Sequence, residues 1–154
     1  FASTAILYNH ESPRRTTEYV TRKVTHAVAR IARGKQQALV LGDLSARIDW
    51  GYSREFMEAA WQILQAPNAD DFVIGTGESH TVREWVDEAF AVVGLDPEQH
   101  VRFDERFMRP SMTSPLVADI SKARRLIGFE PRVRFKELVR LMVEADLRQV
   151  DGAG

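Results

Sequence analysis

The stretch Thr4-Ala5-Ile6-Leu7-Tyr8, followed at once by Asn9-His10-Glu11-Ser12-Pro13-Arg14-Arg15, decides the fold prediction. Its first part is a short apolar run, which predicts a buried strand. Its second part is a polar loop, in which Pro13 keeps Ser12 extended and delays the start of a helix. Open α/β sheets bind ligands just beyond the carboxyl ends of their strands. The loop is therefore a candidate ligand site, although its side chains could equally cap helices and meet water.

Helical and strand patterns alternate along the rest of the chain, which predicts an α/β fold. Apolar periodicity and caps predict helices over about 18–33, 53–65, 82–93, 121–127 and 135–148, with a capping box at Thr81–Glu84. Strands are predicted over 38–41, 71–74 and, more weakly, 101–103, whereas 104–118 reads as irregular and 151–154 as a frayed tail. The first three strands are short and apolar, as in sheets covered on both faces.

Composition excludes several classes of function. The chain has 154 residues, 44% of them hydrophobic, a formal net charge of −1 and no cysteine. Near-neutrality argues against a dedicated nucleic-acid binder, and the absence of cysteine excludes disulfides and thiolate sites. No apolar stretch approaches the ~20 residues of a membrane span, and no signal peptide is visible. The four histidines lack metal-ligand spacing, so no metal site is predicted.

Three further segments suit either a ligand or the protein's own packing. Lys23 lies at the edge of the apolar stripe of the first helix, where it could reach a phosphate or stay on a solvated face. Trp50, near Arg47 and Asp49, could stack on a base or fill the core, and burial is the commoner fate of tryptophan. Gly75-Thr76-Gly77 lacks the third glycine of a dinucleotide fingerprint and is predicted to be a turn.

Short blocks of sequence occur in an order that resembles one enzyme family. They are Asn9–Arg15, Val20–Lys23, Asp49–Gly51, Ala59–Trp61, Phe72–Glu84, Arg109–Pro110, Asp119–Arg124 and Pro131–Asp146. Together they resemble GDP-mannose 4,6-dehydratase over nearly the whole chain, and the first block is the most specific. The resemblance implies the carboxy-terminal part of a Rossmann-type extended short-chain dehydrogenase. Residues 1–42 would end its NADP-binding domain, and 43–150 would form most of a small nucleotide-sugar-binding domain, with 151–154 as a tail.

The resemblance also implies a reaction and a set of binding residues. The intact family enzyme oxidises the sugar at C4 with NADP, eliminates water across C5 and C6, and returns the hydride to C6. It thereby converts GDP-mannose to GDP-4-keto-6-deoxymannose. By position, the resemblance assigns His10 and Arg15 to NADP, and Asn9, Lys23 and Arg109 to the nucleotide sugar.

Three positions depart from the family pattern. The family has an arginine immediately before the Asp-Trp-Gly triplet, where this chain has Ile48, and the adjacent Arg47 is the substitute candidate for substrate binding. Met112 replaces a glutamate three residues after Arg109, and Asp43 replaces an asparagine. These departures leave two alternatives open: a related nucleotide-sugar epimerase or reductase, and a non-catalytic remnant that binds a nucleotide or a protein.

The family's glycine fingerprint and catalytic residues lie upstream of the matched blocks. No catalytic residue is therefore assigned here, and the chain alone is expected to be inactive, because positioned acid–base groups supply many orders of magnitude in rate. The chain opens at Phe1 inside a strand pattern, so we expect a missing amino-terminal half or a homo-oligomer to cover the sheet edge. A cytoplasmic location is expected from the lack of cysteine and of targeting signals.

Overall fold

The computed structural model describes residues 1–107 and 116–152 as an alternating α/β structure, which confirms the predicted class. The strands are β1 Thr4–Leu7, β2 Asn9–Glu11, β3 Leu39–Leu41, β4 Arg47–Ile48, β5 Trp50–Tyr52, β6 Asp71–Ile74, β7 His80–Thr81 and β8 Val101–Phe103. The helices are α1 Val20–Ala32, α2 Ser53–Leu64, α3 Val82–Val93, α4 Pro97–His100, α5 Ser121–Ile127 and α6 Phe135–Gly152, with a 3₁₀ turn at Glu105–Phe107.

The described strands pair across long stretches of sequence. β1 pairs with β6, β2 with β5 and β3 with β8, all in parallel, and β4 pairs with β7 in antiparallel fashion. Parallel partners need crossover connections, which α1 and α2 help to supply. The register sets Leu7 opposite Ile74 and Asn9 opposite Trp50. The polar loop therefore leaves the sheet beside the turn that follows β6.

The larger hydrophobic core lies where α1, α3 and α6 pack together. Each helix buries one stripe of residues at three- and four-residue spacing, as expected for an amphipathic helix with one face on the core. The stripes are Val24, Val28 and Ile31 in α1, Trp85, Val86, Ala89 and Phe90 in α3, and Leu138, Val139, Met142 and Val143 in α6. Trp50 fits between Trp85 and Phe135, with ring centroids 5.1 Å and 6.4 Å away. Trp50 thus fills the core, which decides between its two predicted roles.

The smaller core covers one face of the β1–β6 pair. It is built by α2 and α5 against the strands, and its members are Phe56, Ala59, Ile63, Phe72, Ile74, Ala118, Ile120, Ala123 and Phe129. Side chains alternate between the two faces of a strand. In β1 this leaves Thr4 and Ile6 on the other face, where Ile6 is 51% exposed. Among the described residues β1 is thus covered on one face, and cover on its other face stays a prediction for this strand.

The two cores do not divide at residue 42. α1 and β3, which precede that residue, pack into the larger core with α3 and α6, whereas α2, β6 and α5 join β1 in the smaller core. Packing therefore interleaves the two segments of chain. The assignment of 1–42 and 43–150 to separate domains stays a prediction.

Several element boundaries differ from those predicted. α1 begins at Val20 rather than near residue 18, with Tyr19 as its N-cap. α2 begins at Ser53, as predicted, and ends at Leu64. The tail is helical through Gly152, because Asp151 forms a two-fold hydrogen-bonded pair with Arg33. The capping box at Thr81–Glu84 is confirmed.

Candidate functional site

The predicted polar loop begins as a strand. Asn9, His10 and Glu11 form β2, so their prediction as loop is wrong, and long-range pairing with β5 is the reason. Asn9 is exposed beside the end of β1. The imidazole of His10 is fixed on two sides, since Nδ1 lies 3.0 Å from the carbonyl of Tyr8 and the ring stacks on Phe56 at 5.3 Å. Both candidates are therefore placed at the carboxyl edge of the sheet.

Arg15 folds back onto the same strand. Its NH1 group donates to the carbonyl of His10 at 3.3 Å, and its guanidinium lies 3.6 Å from the ring centroid of Tyr19. Nε is 3.5 Å from the carboxylate of the buried Glu11 and is itself buried, yet it has no hydrogen-bond acceptor among the described residues. Burial raises the pKa of Glu11, while a hydrogen bond from Thr21 Oγ1 at 2.7 Å and the charge of Arg15 oppose that shift. The structure thus brings together His10 and Arg15, the two residues that the resemblance assigns to NADP.

Lys23 lines a separate cavity of about 360 Å³ between α1, β3 and the 3₁₀ turn. Its ammonium lies 4.3 Å from the ring centroid of Phe107, and burial lowers its pKa. The other lining residues are Thr17, His26, Ala27, Gln36, Ala38, Leu39 and Val40. An ammonium group above an aromatic ring, with apolar residues around it, suits a ligand that combines a flat apolar group with polar edges.

A buried ionic network lies behind this cavity and was missed by sequence reasoning. The guanidinium of Arg22 donates to the carboxylate of Asp146, to the Gln149 side chain at 2.9 Å and to the Pro13 carbonyl at 3.1 Å. His26 Nδ1 lies 3.4 Å from the same carboxylate, which is fully buried. The sequence carried a signal, because Asp146 occupies an apolar-stripe position of α6, four residues after Met142. An acid at such a position needs a buried cation.

The remaining substrate candidates lie elsewhere. Arg47 in β4 donates to the hydroxyl of Ser79 at 3.3 Å and to its carbonyl at 2.6 Å, so it holds the segment before β7. Strand alternation points it away from the side occupied by Ile48, which pairs with His80. Arg109 and Met112 lie outside the described residues. Among the described contacts, none joins Arg47 to the Lys23 cavity.

Asp49 is the structural centre of the Asp-Trp-Gly triplet. Its buried carboxylate accepts hydrogen bonds from the amides of Thr76 at 2.9 Å, Gly77 at 3.1 Å and Ala118 at 3.1 Å, and from the Thr76 hydroxyl at 2.6 Å. These bonds tie β5 to the turn after β6, where Gly77 has φ +78°. The predicted turn at Gly75-Thr76-Gly77 is therefore confirmed, and the triplet serves folding.

Within 1–107 and 116–152, no three His, Cys, Asp or Glu side chains come close enough to share a metal ion. Across the same residues, no helix is both long and apolar enough to span a bilayer.

Comparison with known sequences gives the family. The sequence pattern of GDP-mannose 4,6 dehydratase matches residues 1–142. The chain belongs to the GDP-mannose 4,6 dehydratase family. The resemblance found in the sequence motifs is therefore confirmed.

Relatives within the GDP-mannose 4,6 dehydratase family match almost all of the chain. GDP-mannose 4,6 dehydratase 1 of Arabidopsis thaliana is 46% identical over 147 residues, which is 96% of this chain and 41% of that protein. GDP-mannose 4,6 dehydratase of Homo sapiens is 40% identical over 164 residues, covering 96% of this chain and 44% of that protein. The chain thus spans less than half the length of these relatives.

Solved structures confirm the fold of this GDP-mannose 4,6 dehydratase family member. RMD from Pseudomonas aeruginosa, complexed with NADPH, superposes with a TM-score of 0.85 at 18% identity over 94% of this chain and 48% of that one. dTDP-glucose 4,6-dehydratase from Bacillus anthracis, in complex with NAD, gives 0.79 at 15% identity over 96% and 45%. At such identities the likeness establishes the Rossmann-type extended short-chain dehydrogenase fold alone.

Proposed function

We propose that the chain is the carboxy-terminal part of an NADP-dependent dehydratase that converts GDP-mannose to GDP-4-keto-6-deoxymannose. Family membership supports the reaction, and the relatives that match 96% of the chain are named for it. The observation that carries the proposal is the Lys23 cavity, where a partly buried ammonium faces an aromatic ring beside apolar walls. That combination fits a nucleotide sugar, which carries both a flat base and charged phosphates.

The loop after β1 is the proposed NADP contact. Bound NADP would supply a hydride acceptor and donor for the sugar, and this chain would contribute binding groups. Arg15 fits that role, because its buried Nε lacks an acceptor among the described residues while its neighbours hold the guanidinium in place. Buried donors without partners are rare in native proteins, so a phosphate or ribose oxygen is a fitting acceptor. His10 would contact the same cofactor from β2.

The substrate side combines Asn9, Lys23, Arg47 and Arg109 in the proposal. Lys23 lines the cavity, and Asn9 is exposed at the carboxyl edge of the sheet. Arg47 would have to exchange its two hydrogen bonds with Ser79 for a contact to the substrate, which makes it the weakest of the described candidates. Arg109 enters on the family resemblance alone.

The bare face of β1 supports the proposal that an upstream segment completes the enzyme. Thr4 and Ile6 lie on the side of β1 that the smaller core does not cover, and Ile6 is 51% exposed. Doubly wound sheets carry helices on both faces. A preceding half with the glycine fingerprint and catalytic residues, or a second copy in a homo-oligomer, would cover this face, and the complete enzyme would be cytoplasmic. Since catalytic groups would come from that half, the chain alone should bind but not turn over.

Titration calorimetry on the 154-residue chain tests the binding proposal. GDP-mannose, UDP-glucose and NADP are compared, with Lys23→Ala as the test variant and Lys136→Ala as the matched control. Lys136 is an exposed lysine of α6 that contacts Glu88 at 3.3 Å, away from the cavity. Losing a charged hydrogen bond from Lys23 should weaken GDP-mannose binding roughly tenfold or more.

NADP should bind more weakly than about 1 mM, because most of its contacts would belong to the upstream half. Equal affinities of Lys23→Ala and Lys136→Ala for GDP-mannose would show that the cavity is not the substrate site. Micromolar NADP binding by this chain would show that the cofactor site is more complete than proposed.

A further inference from the structure

The segment that follows β2 is held from behind by two buried charged residues, Arg22 of α1 and Asp146 of α6. We propose that Arg22 and Asp146 are positioning residues for NADP. They fix the carbonyl of Pro13 and thereby hold the side chains of His10 and Arg15 in the arrangement that meets the cofactor. The inference rests on the proposed function, which assigns His10 and Arg15 to NADP.

The start of α1 fixes this segment at two points. Thr21 Oγ1 donates to the carboxylate of Glu11, the last residue of β2, at 2.7 Å. The next residue, Arg22, donates from Nε to the carbonyl of Pro13 at 3.1 Å. Two consecutive residues of one helix therefore hold the end of the strand and the turn that follows it.

The carbonyl of Pro13 belongs to the turn that presents Arg15. The amide of Arg15 donates to the carbonyl of Ser12 at 3.0 Å, which closes a β-turn with Pro13 at its second position, where proline is favoured. The side chain of Arg15 then returns to β2, because NH1 donates to the carbonyl of His10 at 3.3 Å. A shift of Pro13 would therefore move the guanidinium of Arg15 relative to β2.

The helix α6 sets the direction of the Arg22 side chain. NH1 of Arg22 donates to the carboxylate of Asp146, and NH2 donates to the Gln149 side chain at 2.9 Å. A guanidinium is planar and rigid, so holding NH1 and NH2 also aims Nε. The bond from Nε to the Pro13 carbonyl is thus built on the two acceptors that α6 supplies.

Stability alone accounts poorly for this network. Asp146 is fully buried, and its Oδ2 has no hydrogen-bond partner among the described residues. Apolar side chains of similar volume often match or exceed the stability that such a buried ion pair provides. A second pair between the same helices, Arg33 with Asp151, is exposed and lies at the far end of α1. The hold on the Pro13 carbonyl is what distinguishes the buried pair.

A double variant separates positioning from stability. Arg22→Met combined with Asp146→Leu removes both charges together, so the protein should fold with an unfolding midpoint near that of the wild type. The complete protein translated from the reading frame that contains this chain is titrated with NADP, because the cofactor site is proposed to need both halves. The Kd for NADP should rise roughly tenfold, since the turn and its side chains must then be ordered on binding. The Kd for GDP-mannose should change little, because Lys23 lines a separate cavity.

Arg22→Lys is the conservative variant. It keeps a cation beside Asp146 but lacks the planar fork that reaches Pro13 as well, so it should weaken NADP binding selectively while the protein stays folded. Asp151→Ala is the matched control, because it breaks the exposed pair between the same two helices and should leave the Kd for NADP unchanged. Circular dichroism confirms that each variant is folded before titration.

Wild-type affinity for NADP in the folded double variant would overturn the inference and leave the proposed function standing. Equal losses of NADP and GDP-mannose binding would also overturn it, because they would indicate a general disturbance of the fold. If the double variant does not fold, Arg22→Lys decides in the same way, by a selective loss of NADP binding or by wild-type affinity. Failure of the unmodified complete protein to bind NADP would instead count against the proposed function, and the inference would fall with it.

Discussion

Asp49→Ala should destabilise the protein severely, although Asp49 touches neither candidate ligand site. The carboxylate satisfies the amides of Thr76, Gly77 and Ala118 at 2.9–3.1 Å, and it is 1% exposed. Its removal leaves these three donors without partners in a largely dry environment. Each orphaned buried donor costs about 1–3 kcal/mol, so the total loss should be roughly 3–6 kcal/mol after partial rehydration.

Urea unfolding followed by circular dichroism measures this loss. For a slope near 2 kcal/mol per molar urea, the midpoint should fall by about 2 M. Asp49→Asn should lose roughly half as much, since the remaining oxygen still accepts from Thr76 while the new amide group faces two N–H donors. The control is Asp43→Ala, a partly exposed aspartate whose carboxylate accepts hydrogen bonds from the backbone amide and hydroxyl of Ser45 at 2.7 Å and 2.6 Å, both on the exposed surface.

Asp43→Ala should change the midpoint little, because water replaces these exposed bonds. A loss below about 1 kcal/mol for Asp49→Ala would refute the reasoning, since it would mean that the three amides find other partners at little cost. A loss equal to that of Asp43→Ala would refute it equally.

Three further outcomes are expected in the same unfolding assay. Asp146→Ala should lower the free energy of unfolding by about 3–5 kcal/mol, because it leaves the buried guanidinium of Arg22 without its partner. Asp151→Ala on the same helix breaks an exposed pair and should cost far less, so similar losses in the two variants would contradict this expectation. Gly51→Ala should destabilise the chain, because the added Cβ would lie 2.3 Å from the ring of Phe56, and a wild-type midpoint would show that the ring moves freely. Burial raises the pKa of Glu11 above its ordinary 4.5, so the native state holds this proton more tightly than the unfolded chain and Glu11 costs stability as pH rises through that window. Glu11→Gln should therefore gain stability relative to wild type between pH 4 and pH 7, and a difference independent of pH would contradict the assignment.

The sequence predicted the elements whose signals are local. Thr81 and Glu84 form the expected capping box, and Gly94 ends α3 with φ +69°. Each of these two signals is contained within a few residues, so each can be identified from the sequence alone. β2, β4, β5 and β7 were missed, since each has only two or three residues and exists through pairing with a distant partner. Short strands of this kind carry too few residues for a periodic pattern.

The sequence indicated individual residues of the candidate site but not how they are arranged in space. The structure joins His10 to Arg15, whereas Lys23 lines a separate cavity, and the roles that the resemblance assigns to all three stay predictions. The Arg22–Asp146–His26 network was missed, because Asp146 is 124 residues from Arg22 and 120 from His26 and meets them only when α6 packs on α1. Arg47 bonds to Ser79 in the structure, a contact that the sequence did not predict, and its role as a substitute for the family's arginine stays a prediction.

Conversion of GDP-mannose tests the central claim most directly. The 154-residue chain and the protein translated from the complete reading frame that contains it are each incubated with GDP-mannose and NADP, and the nucleotide sugar is followed by mass spectrometry. We expect loss of one water from GDP-mannose with the complete protein, no such loss with UDP-glucose, and no turnover by the chain alone. Turnover by the chain alone, or a folded complete protein that binds GDP-mannose and NADP without dehydrating the sugar, would contradict the proposed function.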